Sequence, residues 1–202
     1  MFVNPEWCIV ATKKAEDRRV VRTRALLQDA LVALMVEKGY EAITVQEIID
    51  RANVGRATFY AHFADKRSLL VSRLEDLRTS LLQQQRAALA AGTRGFSFSR
   101  AMLEHAADGR PLWKAIAGAD SGAFVLRRLH EMLADLVRND LAAMGMPRPS
   151  TQREMLTQHV TGAFMAVMTW WLDAGAKLSI DDVDDSFRRN IMRGLSHEMS
   201  HG

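Results

Sequence analysis

In the stretch VGRATFYAHFADKRSLL, Val54–Leu70, the groups that can grip a nucleic acid crowd into one short segment: Arg56, Thr58, Tyr60, His62 and Lys66. A guanidinium holds guanine through two parallel hydrogen bonds, whereas hydroxyl and imidazole groups suit phosphate oxygens. Ala57 and Ala61 lie among them. Small side chains let a helix backbone approach base edges, where Ala and Thr methyls meet the thymine methyl. Phe59 and Phe63, four apart, fall on the other side of a helix at about 100° per residue and are expected to face Leu31, Ile48 and Ile49. The spacing therefore predicts an exposed reading face, with Arg56 on bases and Tyr60 and His62 on phosphates.

Lys66 and Arg67 open the next helix at the end where the backbone dipole disfavours cations, by about 0.3–1 kcal/mol each. A phosphate docked on that helix end reverses the sign. Lys66 is accordingly expected to be its counter-charge. Thr44 raises a similar expectation: Thr-Val-Gln-Glu, Thr44–Glu47, is a capping box, and the helix end it caps is a second place for a phosphate.

These residues need elements to position them. Apolar residues recur every three or four positions nearly throughout and never alternate for long, so the fold class is all-α. A first helix is expected from about Arg18 to Lys38, closed by Gly39 in the left-handed cap position. A second starts at Thr44 and ends at Asn53, a residue that tolerates positive φ. A third runs from Arg56 to Phe63 behind Gly55, and a fourth from about Asp65 to Ala91. Two short helices joined by so tight a turn have helix-turn-helix spacing. Later helices are expected at about 97–107, after Gly109 with Pro111 in the first turn, and at 121–144, 150–173 and from Ser179 onward.

Composition narrows the function. Hydrophobic residues make up 48 % and charged residues 25 %, as in globular proteins, and the longest apolar run, Gly162–Leu172, is far short of a membrane span. The first residues do not read as a signal peptide, so a cytoplasmic protein with no membrane partner is expected. Lys13, Lys14, Arg18, Arg19, Arg22 and Arg24 against Glu6, Glu16 and Asp17 make the start of the chain basic, with residues 1–17 expected as a flexible arm. Cys8 is the only cysteine, which excludes an internal disulfide. His105, His130 and His159 lack metal-ligand spacing. No nucleophile–base pair or phosphate-binding glycine loop supports an enzyme, and no catalytic residue, cofactor or metal is expected.

From about Arg22 to Leu70 the chain resembles the DNA-binding domain of the TetR (tetracycline-repressor-type) family of bacterial transcriptional regulators. Gly39, Thr44, the Ala52-Asn53-Val54 turn, TFYAHF and Lys66 carry the resemblance. Two positions depart from the family pattern: Asn53 stands where Gly is usual and Gly55 where Ser is frequent, both acceptable physical substitutes. The resemblance implies a helix-turn-helix domain over residues 18–65 and a larger helical effector-binding and dimerisation domain over 66–202. It further implies a homodimeric repressor on palindromic operator DNA, released when a small molecule alters the spacing of recognition helices that fit successive major grooves, roughly 34 Å apart. A regulator governed by a partner protein or by its own abundance is the alternative.

Nine of the eleven methionines and three of the four tryptophans lie beyond residue 100. On helices that the family wraps around its effector stand Met102, His105, Trp113, Phe124, Met132, Leu133, Phe164 and Met168, adaptable walls for a ligand and equally the ordinary content of a helical core. The stretch GAFMAVMTWWL is apolar all round, which requires burial on two sides. Together with the stripe Ile180, Val183, Phe187, Ile191 and Leu195 on the last helix, it suggests a dimer interface through Phe164, Trp171, Phe187 and Ile191.

Overall fold

The computed structural model describes residues 6–93, 95–117, 122–145 and 151–199, with side chains described between 18 and 195. Among the described residues there is no strand. The helices are α1 (Glu6–Lys38), α2 (Val45–Ala52), α3 (Arg56–His62), α4 (Lys66–Ala90), α5 (Phe98–Asp108), α6 (Arg110–Ala117), α7 (Gly122–Ala143), α8 (Thr151–Asp173) and α9 (Ile180–Met199). No helix among the described residues is long and apolar enough to cross a membrane. The chain divides into two compact units, Met1–Arg73 and Leu74–Gly202, with the boundary inside α4 rather than at its first residue.

The first unit is built on α1 and α2. Leu27, Leu31, Leu34 and Met35 of α1 are buried, as are Ile43, Ile48, Ile49, Phe59, Phe63, Leu69 and Leu70. Local chemistry stops each helix where the sequence indicates. Gly39 takes φ +76° and its N–H donates to the Met35 carbonyl at 3.0 Å; Asn53 takes φ 52° at the end of α2. The start of α1 differs from expectation. Residues 6–17, expected as a flexible arm, are its first turns, because after Pro5 no glycine or proline interrupts a run rich in Ala, Lys, Glu and Arg until Gly39. Arg18, Arg19 and Arg22 are exposed along this helix. The first five residues of that arm, the Cys8 side chain and residues 146–149 of the expected break lie outside what is described.

In the second unit α7 packs most extensively on α8, and α9 lies against α5 and α8. Its centre is a run of edge-to-face rings: Phe98–Phe164 at 5.4 Å, Phe164–Phe187 at 5.1 Å and Phe96–Phe187 at 6.2 Å between centroids. The buried Gln85 amide donates to the Leu136 carbonyl at 2.7 Å and joins α4 to α7, while Arg138 grips both oxygens of Glu154 and joins α7 to α8. The Trp171 indole N–H donates to the Leu178 carbonyl at 2.9 Å and fixes the turn into α9.

This packing corrects the expected dimer residues. Phe164, Trp171 and Phe187 are buried in the chain's own core, and Ile191 is half-buried beside it. The all-round apolar character of α8 is nevertheless real. Gly162, Ala166 and Trp170 form a second stripe on its outer side, with Trp170 57 % exposed. An open groove of about 410 Å³ runs along this side, lined by Ala163, Val167, Trp170, Leu178, Val183 and Ile191 among others.

Candidate nucleic-acid interface

The interface is assembled from the turn outward. Thr44 caps α2: its Oγ1 accepts from the Glu47 N–H at 3.3 Å and donates to Glu47 Oε2 at 2.9 Å, while the Thr44 N–H donates to the same oxygen at 2.8 Å. Lys38 at the end of α1 pairs with the other Glu47 oxygen. That ammonium, helped by the Thr44 hydrogen bonds, holds the Glu47 carboxyl at about 2. Arg51 reaches back to both oxygens of Glu37, at 2.8 and 2.6 Å. Two ion pairs thus clamp α2 to the end of α1, and the turn at Asn53 then launches α3 in a fixed direction.

On α3, Phe59 is wholly buried and Phe63 nearly so, their rings 6.0 Å apart. Arg56, Ala57, Thr58, Tyr60 and Ala61 are exposed, and His62 is half-buried beside the Phe63 ring. Tyr60 is 48 % exposed, with its ring edge-on to Phe59 at 5.3 Å. Arg56 lies 5.8 Å from the Tyr60 ring centroid, a cation–π distance that pre-orders its guanidinium. The helix therefore offers one long bidentate donor, a phenolic hydroxyl, and between them small side chains over which base edges can come close.

Lys66 corrects the expectation drawn from the helix dipole. Its Nζ donates to the carbonyls of Tyr40, Glu41 and Ile43, at 3.1, 3.1 and 2.9 Å, and lies 4.6 Å from the Tyr40 ring centroid. All three ammonium donors are committed to the α1–α2 loop, so Lys66 is a strut for that loop rather than a counter-charge for phosphate. The reason is local. Once the chain leaves α1 through left-handed Gly39, these carbonyls have no helical donors; the Tyr40 carbonyl also takes the Ile43 N–H at 3.2 Å, and Lys66 bridges all three. The unfavourable dipole is offset by Asp65, whose Oδ1 caps the Ser68 N–H at 2.6 Å while Ser68 Oγ accepts from the Asp65 N–H at 3.1 Å.

Sequence reasoning missed further supports. Gln28, almost fully buried on α1, donates to the Ser72 hydroxyl at 3.0 Å, and Arg24 lies 5.5 Å from the Phe63 ring centroid. Neither Gln28 nor Ser72 belongs to a motif; only the folded chain brings them together.

The expected effector residues divide. Met102, Trp113, Met132, Leu133, Phe164 and Met168 are buried in one contiguous core. His105 instead lies exposed on α5, since the apolar stripe of that helix passes through Met102, Leu103 and Ala106. Phe124 is half-buried with Arg127 6.0 Å from its ring centroid.

Comparison with known proteins agrees with this architecture. Residues 27–72 match the family model for bacterial regulatory proteins of the tetR family, and residues 96–193 match a model for a transcriptional regulator C-terminal region. The chain is 36 % identical over 101 residues to the HTH-type transcriptional repressor KstR of Mycolicibacterium smegmatis, covering 48 % of each protein. Matches to curated relatives span from 17 % to 62 % of those proteins' own length. Among solved structures, a TetR transcriptional regulator from Streptococcus agalactiae shares the fold with TM-score 0.62 and 24 % identity, over 89 % of this chain and 98 % of that one. So does Thermus thermophilus FadR, a TetR-family repressor solved with lauroyl-CoA, with TM-score 0.60 and 20 % identity over 85 % of this chain and 94 % of its own. The exposed reading helix, its clamped support and both family models lead to one assignment: the chain belongs to the TetR family of bacterial transcriptional regulators.

Proposed function

We propose that the protein is a homodimeric repressor that binds a palindromic operator through α3 and leaves it when a small molecule enters the second unit. The observation that carries this reading is the two-sided character of α3: Phe59 locked in the core, with Arg56, Ala57, Thr58, Tyr60 and Ala61 presented on the outside. In this reading Arg56 takes guanine, Ala57 and Thr58 line the base edges, and Tyr60 and His62 fix register on phosphates. Thr44, whose hydroxyl is engaged by Glu47, contributes by holding α2 in place.

The outer stripe of α8 and its groove support dimerisation, because an exposed tryptophan above an apolar trough is the usual mark of a protein interface. Support for an effector comes from the buried Trp113 indole N–H and Thr161 hydroxyl, which lack hydrogen-bond partners in the folded chain. FadR, whose fold this chain shares, holds an acyl-CoA.

Selection of duplexes from a random pool by the full chain, followed by mass measurement of the complex, tests the reading. Enrichment of an inverted repeat carrying two chains is expected. A single chain on a non-palindromic site, or no enrichment, would refute it.

A further inference from the structure

The first part of α1 is a charged helix that leaves the core. Arg18, Arg19, Val20, Val21 and Arg22 are all exposed, Val21 at 66 %. Successive positions at about 100° each cover the whole circumference of a helix within this stretch, so no face of it is buried. From Leu27 onward one face is buried, and the helix is held there by Gln28 on Ser72, Glu37 on Arg51 and Lys38 on Glu47.

The charge of this part is predominantly of one sign. Between residues 13 and 24 stand Lys13, Lys14, Arg18, Arg19, Arg22 and Arg24 against Glu16 and Asp17. Arg18 and Arg22 are four apart, the spacing at which like charges destabilise a helix. Helices in proteins gain most of their stability by burying a face, and this stretch gathers cations instead. A polyanion is the partner that turns such a gathering of charge into attraction. The apolar residues between 13 and 24 are Ala15, Val20 and Val21, too few for the apolar face of a membrane-surface helix.

The segment is continuous with the reading surface. Arg24, the last of these cations, lies 5.5 Å from the ring centroid of Phe63, which closes α3 immediately after His62. From Arg24 back to Lys13 the helix spans about 16 Å at 1.5 Å per residue, the length of about five base-pair steps.

We propose that this part of α1, centred on Arg18, Arg19 and Arg22, is a second DNA contact that grips phosphates of the duplex flanking the bases under α3. The proposal rests on α3 being the operator-reading helix. Guanidinium groups on phosphate oxygens add affinity for any duplex and leave base preference to Arg56.

The test uses the full chain with its selected operator, in a long form and in a form trimmed to the bases that selection fixes, and with a random duplex of the longer length. Affinities are measured from about 50 to 200 mM salt for the native chain, for the triple variant Arg18→Gln, Arg19→Gln, Arg22→Gln, and for the charge-keeping Arg18→Lys, Arg19→Lys, Arg22→Lys. The glutamine variant should lower the slope of log affinity against log salt by about 1–3 and weaken operator and random duplex by the same factor, on the order of tenfold. The lysine variant should keep the slope. Trimming should weaken the native chain and leave the glutamine variant unaffected. An unchanged slope in the glutamine variant, a loss confined to the operator, a lysine variant as weak as the glutamine one, or equal losses on trimming would overturn the proposal. Failure of the α3 reading looks different: a native chain that selects no operator refutes both, whereas a selected operator bound by the glutamine variant with unchanged slope refutes this contact alone.

Discussion

The two units of the chain differ in how completely their buried polar groups are paired. In the first, the polar side chains behind α3 are engaged within the fold: Lys66 on three carbonyls, Glu47 on Thr44 and Lys38, Gln28 on Ser72. In the second lie all the buried side-chain nitrogen and oxygen atoms left without a partner among the described residues, on Ser97, Arg110, Trp113, Asp140 and Thr161. Each such atom costs about 1–3 kcal/mol when nothing satisfies it. A reader of DNA works through its outer surface and benefits from a finished, rigid support. Under the proposed function, unpaired donors and acceptors in the second unit are what a small molecule would find there.

The contrast can be broken most severely at Phe59. Phe59→Ala should cost about 3–5 kcal/mol through the cavity it leaves, read as a lower urea midpoint for the first unit and loss of DNA binding. A smaller loss would mean that α3 is anchored elsewhere.

Asp140→Asn tests the opposite property of the second unit. Because burial raises the Asp140 pKa to about 6, the folded state holds its proton more tightly than the unfolded chain. Its favourable contribution is complete below the unfolded value near 4 and is lost as pH rises through 6. The asparagine variant should therefore gain stability over the native chain as pH rises from about 4.5 to 8, by on the order of 3 kcal/mol at the upper end. Urea melts across that range check it, and a pH-independent difference would contradict the account.

Lys66→Met removes the strut. It should lower stability by about 2 kcal/mol, in the range for hydrogen bonds to charged groups, and weaken operator binding through loop disorder. The salt dependence of the remaining DNA binding should stay unchanged, whereas a direct phosphate contact at Lys66 would reduce the slope by about 1. Thr44→Ala, the mildest change, should cost about 1 kcal/mol of thermal stability from the lost cap.

The parts that were legible in the sequence are those decided by neighbours in the chain. The Thr44–Glu47 capping box and the left-handed Asn53 and Gly39 follow from residues within one or two turns of each other, and so does the division of α3 into a Phe59 side and an Arg56 side. Lys66 was misread because its partners stand more than twenty residues away, in a loop whose carbonyls lose their helical donors only when α1 ends. The residues expected at a dimer interface lie in the chain's own core for a related reason. When a helix is apolar all round, periodicity cannot say which of two adjacent tryptophans turns inward, and it is Trp171, bonded to Leu178, that does so. Asp140 gave no signal, being one carboxylate among many until α4 and α7 ended beside it.

In the proposed function α3 reads sequence through Arg56 and holds register through Tyr60. This division of roles is tested most directly by measuring the affinities of Arg56→Ala and Tyr60→Phe for the selected operator and for a random duplex at matched salt. Arg56→Ala should reduce the ratio of specific to random affinity by about 1–3 kcal/mol, while Tyr60→Phe should lower both affinities by the same factor. An unchanged ratio for Arg56→Ala, or an equal loss of ratio in both variants, would contradict the account.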